Sequence, residues 1–354
     1  SSFHHRGASA EAIADIRETR SPKTIIGLTT ESGVGCDLEL EGVAGLSAIA
    51  MHLPGITLTP WTTSPKEPVP ISRPDEIPEW IGLQDDTKAV FLFADPFSTP
   101  ITRLLPALVN CSSEDRPIPV IGGMASGASQ ATYNRLFLDD KCMRSGGIGL
   151  TISGPIDLDC IVSQGCRPIG KPMRITNIHG NVVLELGGKP ALQVLHDLAR
   201  NLDQHERSLL EGGLLLGGVI DENRDHFGRG DFLVRSVLGI DRKRNGIAAG
   251  ELYRRGKTVQ FHVRDAKTAV EDLQLLLDAQ QLDHQPFAGL LVTCNGRGRN
   301  LFHEEDHDLT IIRDRIGDVP IAGFFAAGEI GPIGGKSFLH GHTACLTLFR
   351  SQRR

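Results

Sequence analysis

Residues Phe287 to Phe349 read FAGLLVTCNGRGRNLFHEEDHDLTIIRDRIGDVPIAGFFAAGEIGPIGGKSFLHGHTACLTLF, and their order decides the fold. The apolar run Ala288 to Thr293 stops at the turn tripeptide Asn295-Gly296-Arg297. A helical stretch follows, then a second apolar run and a second glycine-rich turn. This is a strand, helix, strand unit with its polar side chains gathered at the strand ends. Cys294, Asn295, Arg297, Glu329, His340 and Thr343 sit at or beside those ends. In α/β sheets ligands bind outside the carboxyl ends of the strands, so these residues form the candidate site. They read as a pocket for a small polar molecule more than as a finished catalytic apparatus.

Working outward, the same theme recurs. Ala89 to Ala94 is a buried strand, Ile101 to Val109 is helical, and Val120-Ile121 is a strand leaving through Gly122-Gly123-Met124-Ala125-Ser126-Gly127. Gly146 to Ile152 alternates glycine with Ile148 and Leu150, as a strand does where another backbone approaches closely. The order strand, helix, strand, glycine-rich turn, strand thus spans 89–152 and again 287–349. A partial copy without its first strand covers 1–51: Ile25-Ile26-Gly27-Leu28 aligns on Ile321-Ala322-Gly323-Phe324, and Val34-Gly35 on Ile330-Gly331. Within it, Ala10 to Glu18 is a short helix with Ser9 as N-cap, and Val43 to Met51 a strand. The opening SSFHHRGAS reads as the tail of a strand. Such repetition predicts a pseudo-symmetric sheet with a site shared between copies. Pro65, Pro68, Pro70, Pro74 and Pro78 make Trp61 to Glu79 an irregular surface flap.

Between the copies the pattern changes. Strand signals surround Ser163-Gln164-Gly165-Cys166-Arg167-Pro168, and a hairpin turns at His179-Gly180-Asn181. Pro190 opens a helix through Arg200, Leu214 to Ile220 is a buried strand, and Thr268 to Gln280 is strongly helical.

The formal net charge is -6 and the pI near 6.1, which gives no sequence-wide attraction to nucleic acid or to an anionic membrane. The basic run Arg242-Lys243-Arg244 precedes Asn245-Gly246 and reads as a hairpin tip. Seven cysteines, Cys36 among them, are widely spaced without a C-x-x-C pair, which points to reduced thiols in the cytoplasm. No apolar run approaches the roughly 18 residues that a membrane span needs.

Gly250-Glu251, Phe261-His262-Val263-Arg264-Asp265-Ala266, Cys294-Asn295-Gly296-Arg297-Gly298, Gly323-Phe324-Phe325-Ala326-Ala327-Gly328-Glu329-Ile330-Gly331-Pro332 and His340-Gly341-His342-Thr343 follow in that order. With Gln164-Gly165-Cys166-Arg167-Pro168-Ile169-Gly170 and Pro190-Ala191-Leu192, this series resembles the FIST family of paired N-terminal and C-terminal sensory domains. The resemblance implies an α/β (α+β) protein with mixed sheets in two FIST-like halves, 1–187 and 188–354, the first without its first strand. It further implies a signal-transduction sensor that binds a small ligand such as an amino acid and passes its occupancy to a protein partner. No output domain or F-box is visible.

An amino acid needs a fork of donors and a carboxylate acceptor. Arg297 between glycines supplies the fork, Glu329 the acceptor and Arg167 a second anion contact. Ser126, Gln164, Cys166, Cys294, Asn295, His340 and Thr343 complete the expected ligand-binding set. In the plainer alternative, Arg297 and Glu329 pair with each other as structural glue. A rival function is a cysteine- or metal-dependent hydrolase, with Cys294 and His340 as nucleophile and base or with His303 and His307 of a literal H-E-x-x-H. The acidic context of that motif argues against metal. Gly331-Pro332-Ile333-Gly334-Gly335-Lys336-Ser337 is phosphate-loop-like, yet the glycine that the motif requires is Ile330, and Phe338 to Phe349 reads as strand where a helix is needed. No cofactor and no metal are expected.

Overall fold

The computed structural model describes residues 1–352 apart from 6, 36 and 114; Arg6 of the opening stretch and the expected thiol Cys36 lie outside the described residues. Its contacts group into two units, Ser1–Ser163 with Leu273–Arg354, and Gln164–Asp272. Segments on both sides of residue 188 contribute to each unit, so the units and the sequence halves divide the chain in different places.

In chain order the first unit carries α1 (Ser9–Arg20), β1 (Ile26–Leu28), β2 (Gly33–Gly35), β3 (Leu38–Leu40), β4 (Thr57–Thr63), α2 (Ile77–Trp80), β5 (Thr87–Ala94), α3 (Ile101–Val109), β6 (Val120–Met124), β7 (Leu136–Leu138), β8 (Lys141–Met143), β9 (Gly147–Ser153) and all of β10 (Ile156–Gln164) but its last residue, Gln164, with which the second unit begins. The second carries β11 (Cys166–His179), β12 (Val182–Leu186), β13 (Lys189–Pro190), α4 (Ala191–Asn201), α5 (Gln204–Leu210), β14 (Leu214–Val219), β15 (Phe232–Asp241), β16 (Gly246–Ala249) and β17 (Thr258–Arg264). The chain returns through α6 (Ala266–Gln280) to β18 (Ala288–Cys294), α7 (Arg299–Phe302), α8 (His307–Ile316), β19 (Ile321–Ala326), β20 (Glu329–Ile333), β21 (Lys336–His340) and β22 (Thr343–Ser351).

The near-continuous apolar runs of β18 and β19 make them central, parallel strands, in register from Gly289 opposite Ile321 to Cys294 opposite Ala326. Parallel neighbours need a crossover, which α7 and α8 provide. Helix α8 buries Leu309, Ile311 and Ile312 and stops at Gly317, whose φ of 89° only glycine adopts without strain. The sheet order is β10-β22-β18-β19-β2-β3. Strands β5 and β6, crossed by α3, repeat the parallel pair in a second sheet, β21-β20-β6-β5-β9-β4, and β1-β7-β8 forms a third.

Three sheets take the place of the single pseudo-symmetric sheet expected, because each hairpin leaves its own copy. The β20–β21 hairpin follows β19 but pairs with β6, Glu329 opposite Gly123. The β7–β8 hairpin follows β6 but pairs with β1, and β2–β3 follows β1 but pairs with β19, Gly35 opposite Ala322. The exchange is cyclic, and the segments aligned in sequence are the equivalent strands β1 with β19 and β2 with β20. Ser2 bridges Thr30 in parallel, as Cys294 pairs with Ala326 and Ala94 with Met124. The sheets share one core that includes Leu28, Phe91, Phe93, Leu136, Phe324 and Phe349. Phe91 stacks on Phe349 at 6.1 Å, and Phe93 meets Phe324 edge-on at 5.7 Å. Burying each such ring is worth about 1.5–3 kcal/mol.

The second unit is one seven-stranded sheet, β11-β17-β14-β15-β16-β12-β13, packed around Ile175, Val183, Leu216, Val259 and Phe261. Its hairpins turn after His179 and at Arg242-Lys243-Arg244, and α4 starts directly after Pro190, as expected.

Several local expectations are corrected. Val43 to Met51 forms no strand: its small residues permit burial without demanding it, and Val43, Leu46 and Met51 are exposed. Ser9 does not cap α1; Ala8 holds that position without a side-chain hydrogen bond, and Ser9 is buried. The flap is partly regular, since Pro60 to Thr63 belongs to β4, an edge strand where proline is tolerated, and α2 closes it. The close approach expected along Gly146 to Ile152 is a backbone at Gly146, where a Cβ would lie 2.0 Å from the Thr63 carbonyl oxygen, and a side chain at Gly149, where it would lie 2.0 Å from the Trp61 ring. The phosphate-loop-like stretch is a hairpin, turned at Gly334 and Gly335 with φ of 59° and 80°. Phe338 to Phe349 is likewise broken into β21 and β22, with a turn at Gly341 and His342.

Candidate functional site

Where β18 ends, the Asn295 N–H donates to the Ala326 carbonyl at 3.0 Å and the Arg297 N–H to the Cys294 carbonyl at 2.8 Å. This turn drives Arg297 inward, and its side chain is fully buried. The guanidinium clamps Asp308, with Nε donating to Oδ2 and Nη2 to Oδ1, both at 2.8 Å. Thr293 Oγ1 donates to the same carboxylate at 3.1 Å. The Arg297 guanidinium lies 5.2 Å from the centre of the Phe302 ring, on which His307 stacks at 3.4 Å. Burial disfavours the Asp308 charge, but the Arg297 guanidinium outweighs it and holds the carboxyl well below the usual range. Arg297 is pushed the other way, burial working against its charge and Asp308 more than offsetting that.

Two further acids enter the cluster. Glu39, on β3, accepts from the Leu309 N–H at 2.8 Å; burial, then Asp308, pushes it up to about 8. Glu329 opens β20 and is fully buried, with Oε2 accepting from Thr343 Oγ1 at 2.7 Å and from the Thr343 N–H at 3.2 Å. Burial raises it to about 8 although Thr343, Arg297 and the Cys294 thiol pull downward. Both glutamates therefore carry protons through much of the neutral range. Among the described residues Arg297 Nη1, Glu329 Oε1, Glu39 Oε2 and Asn295 Oδ1 have no hydrogen-bond partner. Each orphan of this kind costs about 1–3 kcal/mol.

Of the residues expected at the site, Cys294, Arg297, Glu329 and Thr343 belong to this cluster. Ser126 and Asn295 adjoin it through Glu31: Asn295 Nδ2 donates to the Glu31 carboxylate at 2.7 Å, and the Glu31 N–H to Ser126 Oγ at 2.9 Å. His340 stands opposite Glu329 in register, but its Nε2 bonds the Gly331 carbonyl at 2.9 Å. The other three lie in the second unit. Gln164 Nε2 donates to the Phe232 carbonyl, Cys166 packs with Leu215, Val219 and Phe232, and Arg167 lies 3.7 Å from Glu206 and 3.8 Å from Asp265.

The structure changes three assignments. The fork of Arg297 is taken by Asp308, because the turn at Gly296 aims it at the first turn of α8; only Nη1 is left for another group. The direct partner of Arg297 is for the same reason Asp308 and not Glu329. The H-E-x-x-H histidines share no helix face, since His303 ends α7 and Asp306, with φ of 54°, separates it from His307 at the start of α8. Among the described residues no group of three His, Cys, Asp or Glu side chains is placed to hold a metal.

Asp308, Glu39, Glu31 and Glu41 were not foreseen. Glu39 and Glu41 were legible as a pair in Leu38-Glu39-Leu40-Glu41, whose alternation puts them on one face; what that face meets was not. Glu41 accepts from the Arg299 N–H at 3.0 Å. A recess of about 460 Å³ lies at the end of β5, between Phe97, Ser98, Thr99 and the flap residues Pro65 and Pro68. None of the expected site residues lines it.

The comparisons agree with this architecture. An uncharacterized protein of Mycobacterium tuberculosis is 44% identical over 261 residues, covering 73% of this chain and 67% of its own. An uncharacterized protein of Mycobacterium bovis is 42% identical over 261 residues, covering 73% of this chain and 66% of its own. The chain thus spans about two thirds of the curated relatives it matches. No helix among the described residues is long and apolar enough to cross a membrane. The FIST N domain matches residues 1–189 and the FIST C domain residues 191–332. These domains imply a sensory, signal-transduction role. With both domains in succession over most of its length, the chain belongs to the FIST family.

Proposed function

We propose that this chain is a cytoplasmic sensor whose cluster at the ends of β18 and β19 holds a small polar metabolite such as an amino acid. The observation that carries the reading is the set of unpartnered polar atoms that these residues carry, Arg297 Nη1, Glu329 Oε1, Glu39 Oε2 and Asn295 Oδ1. Buried polar groups normally find partners, so a cluster of orphans at strand carboxyl ends points to a missing polar guest. A ligand carboxylate would take Arg297 Nη1, and its ammonium group would take Glu329 as that acid ionises. Occupancy would be felt by the β2–β3 hairpin, because Glu31, Glu39 and Glu41 tie its segment to Asn295, Leu309 and Arg299. A signalling partner reading that hairpin would complete the pathway. Unpaired cysteines such as Cys111, Cys160 and Cys345 fit a reducing compartment.

Thermal-shift titration against the free amino acids tests the reading. At about 100 Kd a ligand stabilises the fold by about 2.7 kcal/mol. A rise in Tm that disappears in Glu329→Gln and in Asn295→Ala supports it. No rise with any amino acid, or one untouched by both substitutions, would overturn it. One observation favours a second reading, a cysteine-dependent hydrolase: a titratable neighbour of the Cys294 thiol is Glu329, an acid raised toward the operating range of a general base. Iodoacetamide labelling of Cys294 that rises with pH near 8 and is blunted in Glu329→Gln would favour that reading over simple binding.

A further inference from the structure

The other ends of the same strands carry a second polar site. Strand β22 runs antiparallel to β18, with Phe349 opposite Ala288, so Arg350 lies beside the start of β18 whereas Arg297 follows its end. There Lys88, Pro119, Asp157, Asp159, His284 and Arg350 line a recess of about 480 Å³. Recesses of about 300–1,000 Å³ are the size that small-molecule ligands use.

The recess is built around a buried cation. Arg350 is only 1% exposed. Its Nε donates to Asp159 Oδ2 at 2.5 Å, and its Nη2 to the side-chain oxygen of Gln280 at 3.2 Å. Its Nη1 has no hydrogen-bond partner among the described residues. His284 is held by Asp283 at 3.0 Å and by the Ser351 carbonyl at 2.8 Å. Lys88 and Asp157 form no ion pair among the described residues. With Asp159 on Arg350 and Asp283 on His284, Lys88 and Asp157 remain to meet a guest, together with the donors of Nη1.

We propose that this recess binds a small monocarboxylate carrying a hydrogen-bond donor, its carboxylate on Lys88 and Arg350 Nη1 and its donor on Asp157. A hydroxy acid and an amino acid share that chemistry. A phosphate dianion does not fit, because Asp157, Asp159 and Asp283 outnumber the two cations. An apolar guest would displace water from Asp157 and give Arg350 Nη1 no acceptor, which is costly. The site stands apart from the cluster around Arg297, and its assignment does not rest on that reading.

Calorimetric titration of the full chain with glycolate, glycine, acetate and inorganic phosphate is the test. Glycolate or glycine is expected to bind saturably in the millimolar range, with the tighter of the two identifying the donor as hydroxyl or ammonium. Acetate, which lacks a donor, and phosphate are each expected to bind about tenfold more weakly or worse. Lys88→Ala and Asp157→Asn, both on partly exposed positions, should each weaken the preferred acid by about tenfold. Absence of saturable binding by either acid, tighter binding of phosphate, or affinity indifferent to Lys88→Ala and Asp157→Asn would overturn the assignment. Loss of binding in Glu329→Gln alone would move the guest to the other cluster and overturn it equally.

Discussion

Arg297 shows how one side chain sets the chemistry around it. The guanidinium and Asp308 are both fully buried, and removing one partner strands the other charge away from water. Arg297→Ala is therefore expected to lower stability by about 3–5 kcal/mol, whereas the double substitution Arg297→Met with Asp308→Leu recovers most of it; urea denaturation of both proteins checks this. Glu329 acts on stability with the opposite sign. Its pKa rises from 4.5 in the unfolded chain to about 8 in the fold, so between those values the folded state holds a proton that the unfolded state has lost. Stability from this group is complete below about 4.5 and declines as pH rises toward 8, by at most about 1.4 kcal/mol per pH unit. Asp308, held low, contributes in full above the unfolded-chain value of 3.8 and loses that contribution progressively as the pH falls below it. Glu329→Gln should flatten the fall in the urea midpoint between pH 5 and 8 and leave the variant relatively more stable at the alkaline end; an unchanged slope would mean the acid is ionised in the fold.

At the scale of elements, glycine in a strand can serve a side chain on the neighbouring strand. Trp61 on the edge strand β4 covers Gly149 on β9, its register partner, and the ring occupies the space a Cβ would take. Gly149→Ala is expected to cost about 1–3 kcal/mol through overpacking. Melting temperature and a shift in Trp61 fluorescence report it together, and a melting temperature unchanged from the parent would show that the ring moves aside freely. The sequence signalled close approach at Gly149 but not what approached, because alternating glycines mark room without naming its occupant. The H-E-x-x-H stretch failed for a related reason: four-residue spacing implies a shared face only inside one helix, and two residues with positive φ, His303 and Asp306, break that helix.

For the molecule as a whole, the cyclic exchange of hairpins means that no copy of the repeat completes its own sheet. Strand β6 needs β20, β19 needs β2 and β1 needs β7. The sequence by itself determined the parallel strand pairs, the helices that cross them, the equivalence of β1 with β19 and of β2 with β20, and the strand ends where polar side chains gather. Those follow from hydrophobic period and turn chemistry, which are local. Only the tertiary structure decided that the hairpins cross between copies, that Asp308 fills the fork of Arg297, that Glu39 reaches α8 from the N-terminal hairpin, and that Arg167 belongs to a different compact unit. Each of those contacts joins side chains through the fold and not through neighbouring sequence. An arginine cannot show in its own sequence neighbourhood which carboxylate will be buried against it.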